Sequence, residues 1–189
     1  LDKSGLQLIA KNYDLFFIDL WGVVHNGIKL FDNSIEVIEN LTKDGKEVIL
    51  LTNAPRPNDP VINFLKTLGL NKFFENVFTS GEAALKYLIS DLKKKKFYHI
   101  GSLRDYDLFE KFKHNKVSNI QDANYILCTG LLEMHDRKSY LNVNLDFYKN
   151  LLSDNILKEM VCTNPDLVVD KGDTREYCAG TIAKLFEEI

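Results

Sequence analysis

The sequence predicts an α/β fold with a parallel sheet, and three observations support this class. Short apolar runs alternate along the chain with segments in which apolar residues recur at helical spacing. The runs are almost continuously apolar, which is typical of strands that are buried in a parallel sheet. The regular alternation of strand and helix implies crossovers that leave successive strands parallel. At 189 residues, the chain is long enough for one or two domains with a sizeable core.

The first half of the chain contains three predicted strands, each followed by a predicted helix. The strands are Leu15–Ile18, Glu47–Thr52 and Asn76–Thr79. Each helix begins at polar or proline-containing capping residues, and the first two end at Gly45 and Gly69. The helices begin near Asp32, Asp59 and Ser80, and the third extends to Leu92.

A second series of strands and helices follows the lysine run Lys93–Lys96, which reads as a solvated helix end. The predicted strands are Phe97–Ile100, Tyr125–Thr129 and Met160–Thr163. The predicted helices lie around Leu108–Phe112, near Leu145–Leu152 and over Ala179–Ile189. Because the lysine run separates the two series, we place a domain boundary there, with one domain at residues 1–92 and the other at 93–189.

The composition excludes several classes of protein. The net charge of −3 gives no reason to expect nucleic acid as a partner. Three widely spaced cysteines without a CxxC motif argue against a disulfide framework and against a structural zinc site. No segment has the roughly 20 apolar residues of a membrane span, and no signal peptide is visible. We therefore expect a cytoplasmic protein without a membrane partner, whose N-terminus, beginning with Leu, is trimmed or processed.

The stretch from Tyr13 to Gly27 is the strongest candidate for a functional site. Asp19 falls at the end of the first apolar strand, and Gly22 and Gly27 bracket the loop that follows. Open α/β sheets place their chemistry at the carboxyl ends of the strands. An acid in this position suggests a nucleophile or a metal ligand, and the alternative is an aspartate that only caps the following turn.

Polar residues also follow the second strand, at Thr52 and Asn53, with Arg56 close behind. If the first two strands are neighbours, these residues and Asp19 share one crevice. A threonine hydroxyl, backbone N–H groups and an arginine would bind phosphate oxygens opposite the carboxylate. Taken singly, Thr52 is an ordinary strand residue and Arg56 an ordinary loop cation. In combination with Asp19 they favour a phosphate site.

Two segments resemble the first two motifs of the haloacid dehalogenase-like (HAD) superfamily: Phe16–Gly27 (FFIDLWGVVHNG) and Leu51–Arg56 (LTNAPR). The rest of the chain is similar to the class IIA branch, which includes NagD and 4-nitrophenylphosphatase. Its motifs appear in the order of that branch, at Thr79–Ala84, His99–Gly101, Cys162–Asp166 and Cys178–Ile182. The resemblance therefore covers nearly the whole chain.

The resemblance implies a partial Rossmann-like core at residues 1–92 with an inserted α/β cap at 93–189. It also implies a phosphatase that acts on a small phosphorylated metabolite through an aspartyl-phosphate on Asp19. Mg²⁺ would be held by the Asp19 side chain and the backbone carbonyl of Trp21. Thr52 and Asn53 would bind the phosphoryl group, and Arg56 would lie near the substrate. Asn164 and Asp166 of the cap would face the substrate, and a homodimer would be possible.

Two features depart from the family pattern. Trp21 occupies the position at which the phosphatases carry a second aspartate, the general acid, and the loss of such a group costs about 10²–10⁴ in rate. His25 is a candidate substitute for it, or a loop histidine without a role. The lysine and the acidic pair that the family places after the cap are also missing from the 189 residues. We therefore expect the chain to be a fragment of a longer protein that hydrolyses little by itself.

The sequence leaves two other functions open. One is a non-catalytic protein that binds or senses a phosphorylated ligand, which the tryptophan at position 21 favours. The other is an acceptor whose reaction stops at the aspartyl-phosphate.

Overall fold

The computed structural model describes residues 5–72 and 76–189, and in it the chain divides into two units. The first unit comprises Leu1–Thr52 and Ile62–Phe78, and the second comprises Asn53–Val61 and Thr79–Ile189. Each unit contains a sheet with parallel strands, so the predicted α/β class is confirmed. The domain boundary between residues 92 and 93 stays a prediction. None of the helices in the described part of the chain has the length and apolarity that a bilayer crossing requires.

A sheet of order β1-β2-β3 forms the centre of the first unit. Its elements, in chain order, are α1 (Gln7–Ala10), β1 (Leu15–Asp19), α2 (Asp32–Lys43), β2 (Glu47–Thr52), α3 (Asn58–Thr67) and β3 (Val77–Thr79). Helix α3 begins with residues of the second unit. Strands β1 and β2 are parallel, with Asp19 opposite Leu51. One face of β2 is buried through Val48 and Leu50, while Ile38 of α2 and Leu65 of α3 also belong to the buried core.

Strand β1 is less buried than the sequence predicted. Leu15 is 40% and Phe17 61% exposed, whereas Phe16 and Ile18 are half-buried. Because side chains alternate between the faces of a strand, this pattern is that of a strand with one covered face. β1 also forms an edge of its sheet within the described residues. The expectation of a fully buried first strand is therefore wrong.

A four-stranded parallel sheet of order β5-β4-β6-β7 forms the centre of the second unit. Its elements are α4 (Ser80–Tyr87), β4 (Phe97–Ile100), β5 (Lys116–Val117), β6 (Tyr125–Cys128), α5 (Asp146–Ser153), β7 (Glu159–Cys162), β8 (Val168–Lys171), β9 (Thr174–Tyr177) and α6 (Ala179–Glu187). A π-helical turn, Leu88–Leu92, extends α4. Strands β8 and β9 pair as a separate antiparallel hairpin.

The central strand β6 is buried at every residue and separates two apolar clusters. Tyr125 and Leu127 face a cluster that contains Phe97 of β4. Ile126 and Cys128 face a second cluster, which includes Tyr148 of α5 and Ile182 of α6. The sequence predicted that near-continuous apolar runs are strands buried in a parallel sheet, and β6 fits this prediction because both of its faces are covered.

Two elements differ from the sequence prediction. The helix expected around Leu108–Phe112 is a pair of 3₁₀ segments, Leu103–Leu108 and Glu110–Asn115. The backbone of Phe112 is not helical, with φ −134° and ψ 27°. The hairpin of β8 and β9 was not predicted, although Gly172 and Asp173 form a two-residue connection of the kind that joins antiparallel strands, with φ +60° at Gly172.

A chain of buried hydrogen bonds links β4 and β6 to the segment that follows β4. The Thr129 hydroxyl donates to Oδ2 of Asp105 at 2.8 Å. Since that hydroxyl proton is used, His99 Nε2, 2.8 Å from Thr129 Oγ1, is the donor in the contact between them. All three residues are buried. The imidazole therefore donates to the hydroxyl, and the hydroxyl donates to the carboxylate.

Burial shifts the pKa values of both ends of this chain toward their neutral forms. Desolvation raises the pKa of Asp105 to about 6, and the hydrogen bond from Thr129 only partly opposes this. Desolvation, helped by the charge of Lys116, lowers the pKa of His99 to about 3. At neutral pH the imidazole is therefore uncharged, and Asp105 is a buried carboxylate.

We predict that Asp105→Asn changes the pH dependence of stability. The carboxyl has a reference pKa of 3.8, against about 6 in the folded protein, so the folded state binds more protons between these values. Ionisation of Asp105 therefore lowers the free energy of unfolding as the pH rises from about 4 to about 6, by about 3 kcal/mol in total. The difference in unfolding free energy, variant minus wild type, should rise by about this amount over that range, as measured by urea unfolding.

Asp122→Asn is the matched control, because it removes one carboxylate of the same unit from an exposed position and leaves the buried Asp105 in place. An Asp105→Asn difference that is flat between pH 4 and pH 7 would contradict the raised pKa.

Candidate active site

The carboxyl ends of β1 and β2 bring two of the predicted site residues to the same edge of the first sheet. Asp19 is the last residue of β1 and lies opposite Leu51, the residue before Thr52 at the end of β2. Asp19 is exposed, and Thr52 is half-buried. The predicted neighbourhood of the two strands is therefore confirmed. A carboxylate and a hydroxyl at one sheet edge can act as a nucleophile and an anion-binding group.

The loop after β1 is closed tightly by backbone hydrogen bonds. The N–H groups of Val24 and His25 both donate to the carbonyl of Leu20, at 2.8 and 3.1 Å. The N–H of Gly22 donates to the carbonyl of His25 at 2.8 Å. Leu20 and Val24 are fully buried beneath the loop. This arrangement fixes the backbone on the C-terminal side of Asp19.

Glycine is required at position 27 for two reasons. Its φ of +84° lies in the left-handed region, which favours glycine. A Cβ there would also lie 2.5 Å from the Cη2 atom of Trp21, so the indole occupies the space that any side chain would need. The Trp21 ring makes an edge contact with the ring of His25, whose centroid is 5.4 Å away. Trp21 thus packs within its own loop.

His25 is a structural residue of this loop. Its Nδ1 atom accepts a hydrogen bond from the N–H of Gly27 at 2.9 Å, so the proton of the neutral ring is on Nε2. The ring is 4% exposed and also makes an edge contact with Phe64 at 5.6 Å. Burial lowers its pKa below 6.5, and the charge of Asp19 opposes this without reversing it. A neutral imidazole is a poor general acid, so the geometry favours the role of a packed loop histidine.

Asn53 and Arg56 belong to the second unit, and each is bonded to a carboxylate there. The Asn53 amide donates to Oδ1 of Asp166 at 2.9 Å. The Arg56 guanidinium forms an ion pair with Asp107. Its buried Nε has no hydrogen-bond partner among the described residues. Acidic side chains therefore hold both ends of the loop from Asn53 to Arg56. Among the described residues, the Nε–H of Arg56 remains available as a donor.

The start of helix α4 anchors the same loop. The Thr79 hydroxyl donates to the carbonyl of Arg56 at 2.6 Å and accepts from the N–H of Glu82 at 2.9 Å. Ser80 was expected to cap this helix, but its hydroxyl instead contacts the carbonyls of Ala54 and Thr163, at 3.1 and 2.6 Å. A Cβ at Gly81 would lie 2.3 Å from the backbone of Arg56. The segment Thr79–Glu82 thus fixes the loop from Asn53 to Arg56 by contacting the backbone atoms of that loop.

Sequence reasoning missed the role of Asp107 and gave Asp166 only a general position near the substrate. Asp107 lies in the 3₁₀ segment Leu103–Leu108, which carries no motif, so no pattern indicated its pairing with Arg56. Asp166 is part of the motif Cys162–Asp166, and its N–H is bound by the Asn164 side chain at 2.9 Å. In the second unit, Asp166 therefore positions Asn53, and Asn164 positions Asp166.

The described residues contain no cluster of three or more His, Cys, Asp or Glu side chains that would hold a metal ion by itself. Asp19 and the Trp21 carbonyl offer oxygen atoms from one short segment. Mg²⁺ prefers oxygen ligands and usually keeps several waters, with one or two carboxylates and substrate phosphates completing the shell. The donor chemistry of these residues therefore fits a partial Mg²⁺ site.

Known proteins resemble the chain in sequence over most of its length. The profile of the haloacid dehalogenase-like hydrolases matches residues 16–114, more than half of the chain. Phosphoglycolate phosphatase 1A, chloroplastic, of Arabidopsis thaliana is 28% identical over 194 residues, which cover 94% of this chain and 53% of that protein. Phosphoglycolate phosphatase 1B of the same plant matches equally well. The chain thus spans about half the length of these curated relatives.

Solved structures share the fold. A haloacid dehalogenase-like hydrolase from Brucella suis 1330 superimposes with a TM-score of 0.84 at 28% identity, covering 97% of this chain and 68% of that one. The p-nitrophenyl phosphatase of Archaeoglobus fulgidus gives 0.65 at 18% identity, with coverages of 93% and 65%. NagD of E. coli K-12 gives 0.62 at 17% identity, with the same coverages. The predicted resemblance to the haloacid dehalogenase-like superfamily is confirmed, the fold is shared with NagD and the p-nitrophenyl phosphatase, and the chain belongs to the haloacid dehalogenase-like hydrolase family.

Proposed function

We propose that the full-length protein is a Mg²⁺-dependent phosphatase that removes the phosphoryl group of a small phosphorylated metabolite through an aspartyl-phosphate on Asp19. Membership of the hydrolase family and the phosphatase names of several relatives support this reaction class. The proposed site residues are Asp19, Trp21, Thr52, Asn53 and Arg56. Localisation in the cytoplasm and a homodimer stay predictions of the sequence.

One observation carries the proposal: the register of β1 and β2. Asp19 pairs with Leu51, so the carboxylate at the end of β1 and the hydroxyl of Thr52 at the end of β2 share one sheet edge. The hydrogen bonds to the Leu20 carbonyl then hold the following loop in place. This arrangement suits attack on a phosphate ester. The carboxylate on the strand end is the nucleophile, and the neutral hydroxyl can bind a phosphoryl oxygen without acting as a second nucleophile.

The chemistry assigned to this chain has two steps. A carboxylate oxygen of Asp19 forms a bond to phosphorus as the bond from phosphorus to the ester oxygen breaks, and the departing oxygen carries away the electron pair. Water then attacks the phosphorus of the aspartyl-phosphate as the bond from phosphorus to the Asp19 oxygen breaks, which releases inorganic phosphate and regenerates the Asp19 carboxylate. Thr52 would donate a hydrogen bond to a phosphoryl oxygen in both steps. Mg²⁺, held by the Asp19 side chain and the Trp21 carbonyl, would supply positive charge to the phosphoryl oxygens when bound.

Neither Trp21 nor His25, in the loop after β1, is suited to protonate the leaving group. Trp21 packs over Gly27 and against His25, and His25 is neutral with Nδ1 already used. We therefore assign the reaction to substrates whose leaving group departs without help from an acid, such as aryl phosphates and acyl phosphates.

A second candidate function is the binding of a phosphorylated ligand without turnover. Trp21 in place of an acid favours it, as do the carboxylates that pair with Asn53 and Arg56. A phosphate ligand would have to displace Asp107 from Arg56 or use the spare Nε donor. The first prediction below separates the two functions.

We predict that Asp19→Asn in the full-length protein lowers kcat for p-nitrophenyl phosphate by at least about a thousandfold, because the amide cannot form the phosphoenzyme. The rate is measured with Mg²⁺ in excess, and the binding of orthophosphate is followed by calorimetry on the same samples. Orthophosphate binding should remain within about threefold of the wild type.

The matched control is Asp14→Asn, which removes an exposed acid just before β1 that pairs with Lys46 at 3.4 Å. It should leave kcat unchanged. Turnover by the Asp19→Asn variant at the wild-type rate would overturn the proposal. A wild-type protein that binds orthophosphate but hydrolyses neither aryl nor acyl phosphates would establish the second function instead.

We also predict a strong dependence on the leaving group. Without a general acid, kcat/KM for p-nitrophenyl phosphate should exceed that for ethyl phosphate by about 10²–10⁴. The comparison uses the full-length protein at neutral pH. His25→Asn should leave this ratio as it is, since the imidazole gives no proton to the leaving group. Equal rates on the two esters, or a ratio that rises sharply in the His25 variant, would show that an acid is present.

A further inference from the structure

The second unit contains a cavity of about 150 Å³ beside the end of strand β4. We call it the β4 cavity. Its wall includes the aromatic side chains of Tyr106 and Phe109, the hydroxyl-bearing Ser102 and two charged residues, Lys116 and Glu133. A volume of this size accommodates a ligand of about six non-hydrogen atoms. All of these residues belong to the second unit, and none of them is part of the site assigned to phosphoryl transfer.

The β4 cavity lies where the topology of the second sheet favours a ligand. After β4 the chain forms β5 on one side of β4, and it then forms β6 on the other side. The connections that leave β4 and β6 therefore diverge, and the carboxyl ends of these two strands flank the point where the strand order reverses. In open parallel sheets, ligands bind in the crevice at this position. His99 and Gly101 at the end of β4 both line the cavity.

Gly101 allows the two strand ends to approach each other closely. A Cβ at this position would lie 2.0 Å from Thr129 Oγ1 and 2.4 Å from His99 Nε2. The φ of Gly101 is not in the left-handed region, so backbone conformation does not require the glycine. Its role is to leave space beside the hydrogen-bonded pair His99 and Thr129, at the floor of the crevice.

Two buried polar atoms that follow β4 have no hydrogen-bond partner among the described residues, and one of them, the Ser102 hydroxyl, lines the β4 cavity. Ser102 is 2% exposed, and its hydroxyl has no hydrogen bond among the described residues. Three residues further on, Asp105 is equally buried, and its Oδ1 also accepts no hydrogen bond there. The nearest cation to this oxygen is the Arg104 guanidinium, with Nε at 3.8 Å. Buried polar groups are almost always hydrogen-bonded, so the Ser102 hydroxyl, which lines the cavity, indicates a site that a polar molecule completes.

The charges on the cavity wall define the ligand class. Lys116 and Glu133 are both exposed and carry opposite charges. The Glu133 carboxylate accepts the N–H of Leu103 at 2.7 Å, which holds it beside the cavity. The Lys116 ammonium lies 5.4 Å from the centre of the Phe109 ring. A ligand with a single charge would satisfy one of these groups and be repelled by the other, whereas a small zwitterion would satisfy both.

We propose that the β4 cavity binds a small zwitterion of the amino-acid class, with its carboxylate paired to Lys116, its ammonium paired to Glu133 and the Ser102 hydroxyl as a further hydrogen-bond partner. This binding is separate from the proposed phosphatase reaction. A ligand of six non-hydrogen atoms in a cavity that is open to solvent should bind with a Kd of about 0.1–1 mM.

The experiment uses L-alanine as the probe, with propionate and ethylamine as analogues that each lack one of its charges. Binding to the protein is measured by calorimetry and by amide chemical shifts, followed at Gly101 and Leu103 beside the cavity and at Gly45 in the first unit. We expect saturable binding of L-alanine with shifts confined to the second unit, and at least about tenfold weaker binding of both analogues.

Variants of the wall test the assignment of each charge. Lys116→Gln and Glu133→Gln should each weaken L-alanine binding by at least about tenfold. The glutamine at position 133 keeps an oxygen that can accept the Leu103 N–H. Ser102→Ala should weaken it by about threefold to tenfold. The matched control is Lys111→Gln, which removes the same charge from an exposed position that does not line the cavity. It should bind like the wild type.

Several results would overturn the proposal. One is that binding does not saturate at about 20 mM L-alanine. Another is that propionate or ethylamine binds as tightly as L-alanine does. A third is that the Lys116 and Glu133 variants bind L-alanine as tightly as the wild type does. Asp19→Asn should bind L-alanine as the wild type does, so a failure of the phosphatase proposal and a failure of this one remain distinguishable. Circular dichroism of each variant confirms that a loss of binding is not a loss of fold.

Discussion

The parallel pairing of β1 with β2 is the constraint on which the candidate active site depends. Asp19 lies opposite Leu51, so β1 and β2 end together at the same end of the sheet. A shift of the register would change the offset between Asp19 and Thr52 along the strands by about 3.3 Å per residue. The orientation of β2 is fixed by burial, since Val48 and Leu50 belong to the core. Any function of Asp19 and Thr52 together rests on this packing.

The loop after β1 determines which leaving groups the proposed reaction favours. In the family pattern, the position of Trp21 holds an acid, which would compete for space and solvent near the nucleophile. Here the indole fills the volume over Gly27 and contacts the His25 ring, so the position contributes packing instead of a proton. The neutral, buried histidine follows from the same packing, because its Nδ1 is needed by the Gly27 N–H. The tryptophan at position 21 therefore accounts for the aromatic contact with His25 and adds a steric requirement to the left-handed backbone that already favours glycine at position 27.

The sequence predicted those parts of the fold that depend on local patterns. The strands from Glu47, Phe97 and Tyr125 begin where their apolar runs begin, because those runs are buried in the sheets. The pairing of Arg56 with Asp107 was not predictable, because it joins residues 51 positions apart. The exposure of Phe17 depends on which face of β1 is covered, which an apolar run does not reveal. The Gly172–Asp173 turn is different, since a Gly-Asp pair between two short strand-like runs is itself a hairpin signal in the sequence.

The buried polar groups of the second unit are the feature that packing alone does not explain. An apolar residue in place of Asp105 would avoid the desolvation that raises its pKa to about 6. The Thr129 hydroxyl instead donates to this acid, and His99 donates to Thr129 in turn, while the Ser102 hydroxyl has no hydrogen-bond partner among the described residues. Strain and unsatisfied groups persist where the surrounding structure fixes them, and they concentrate at ligand sites. The arrangement lies at the reversal point of the strand order, beside a cavity with one cation and one anion on its wall. A polar molecule bound in the cavity would offset the cost of burying the Ser102 hydroxyl, so a residue that lowers the stability of the unit by itself would contribute to the affinity for the ligand.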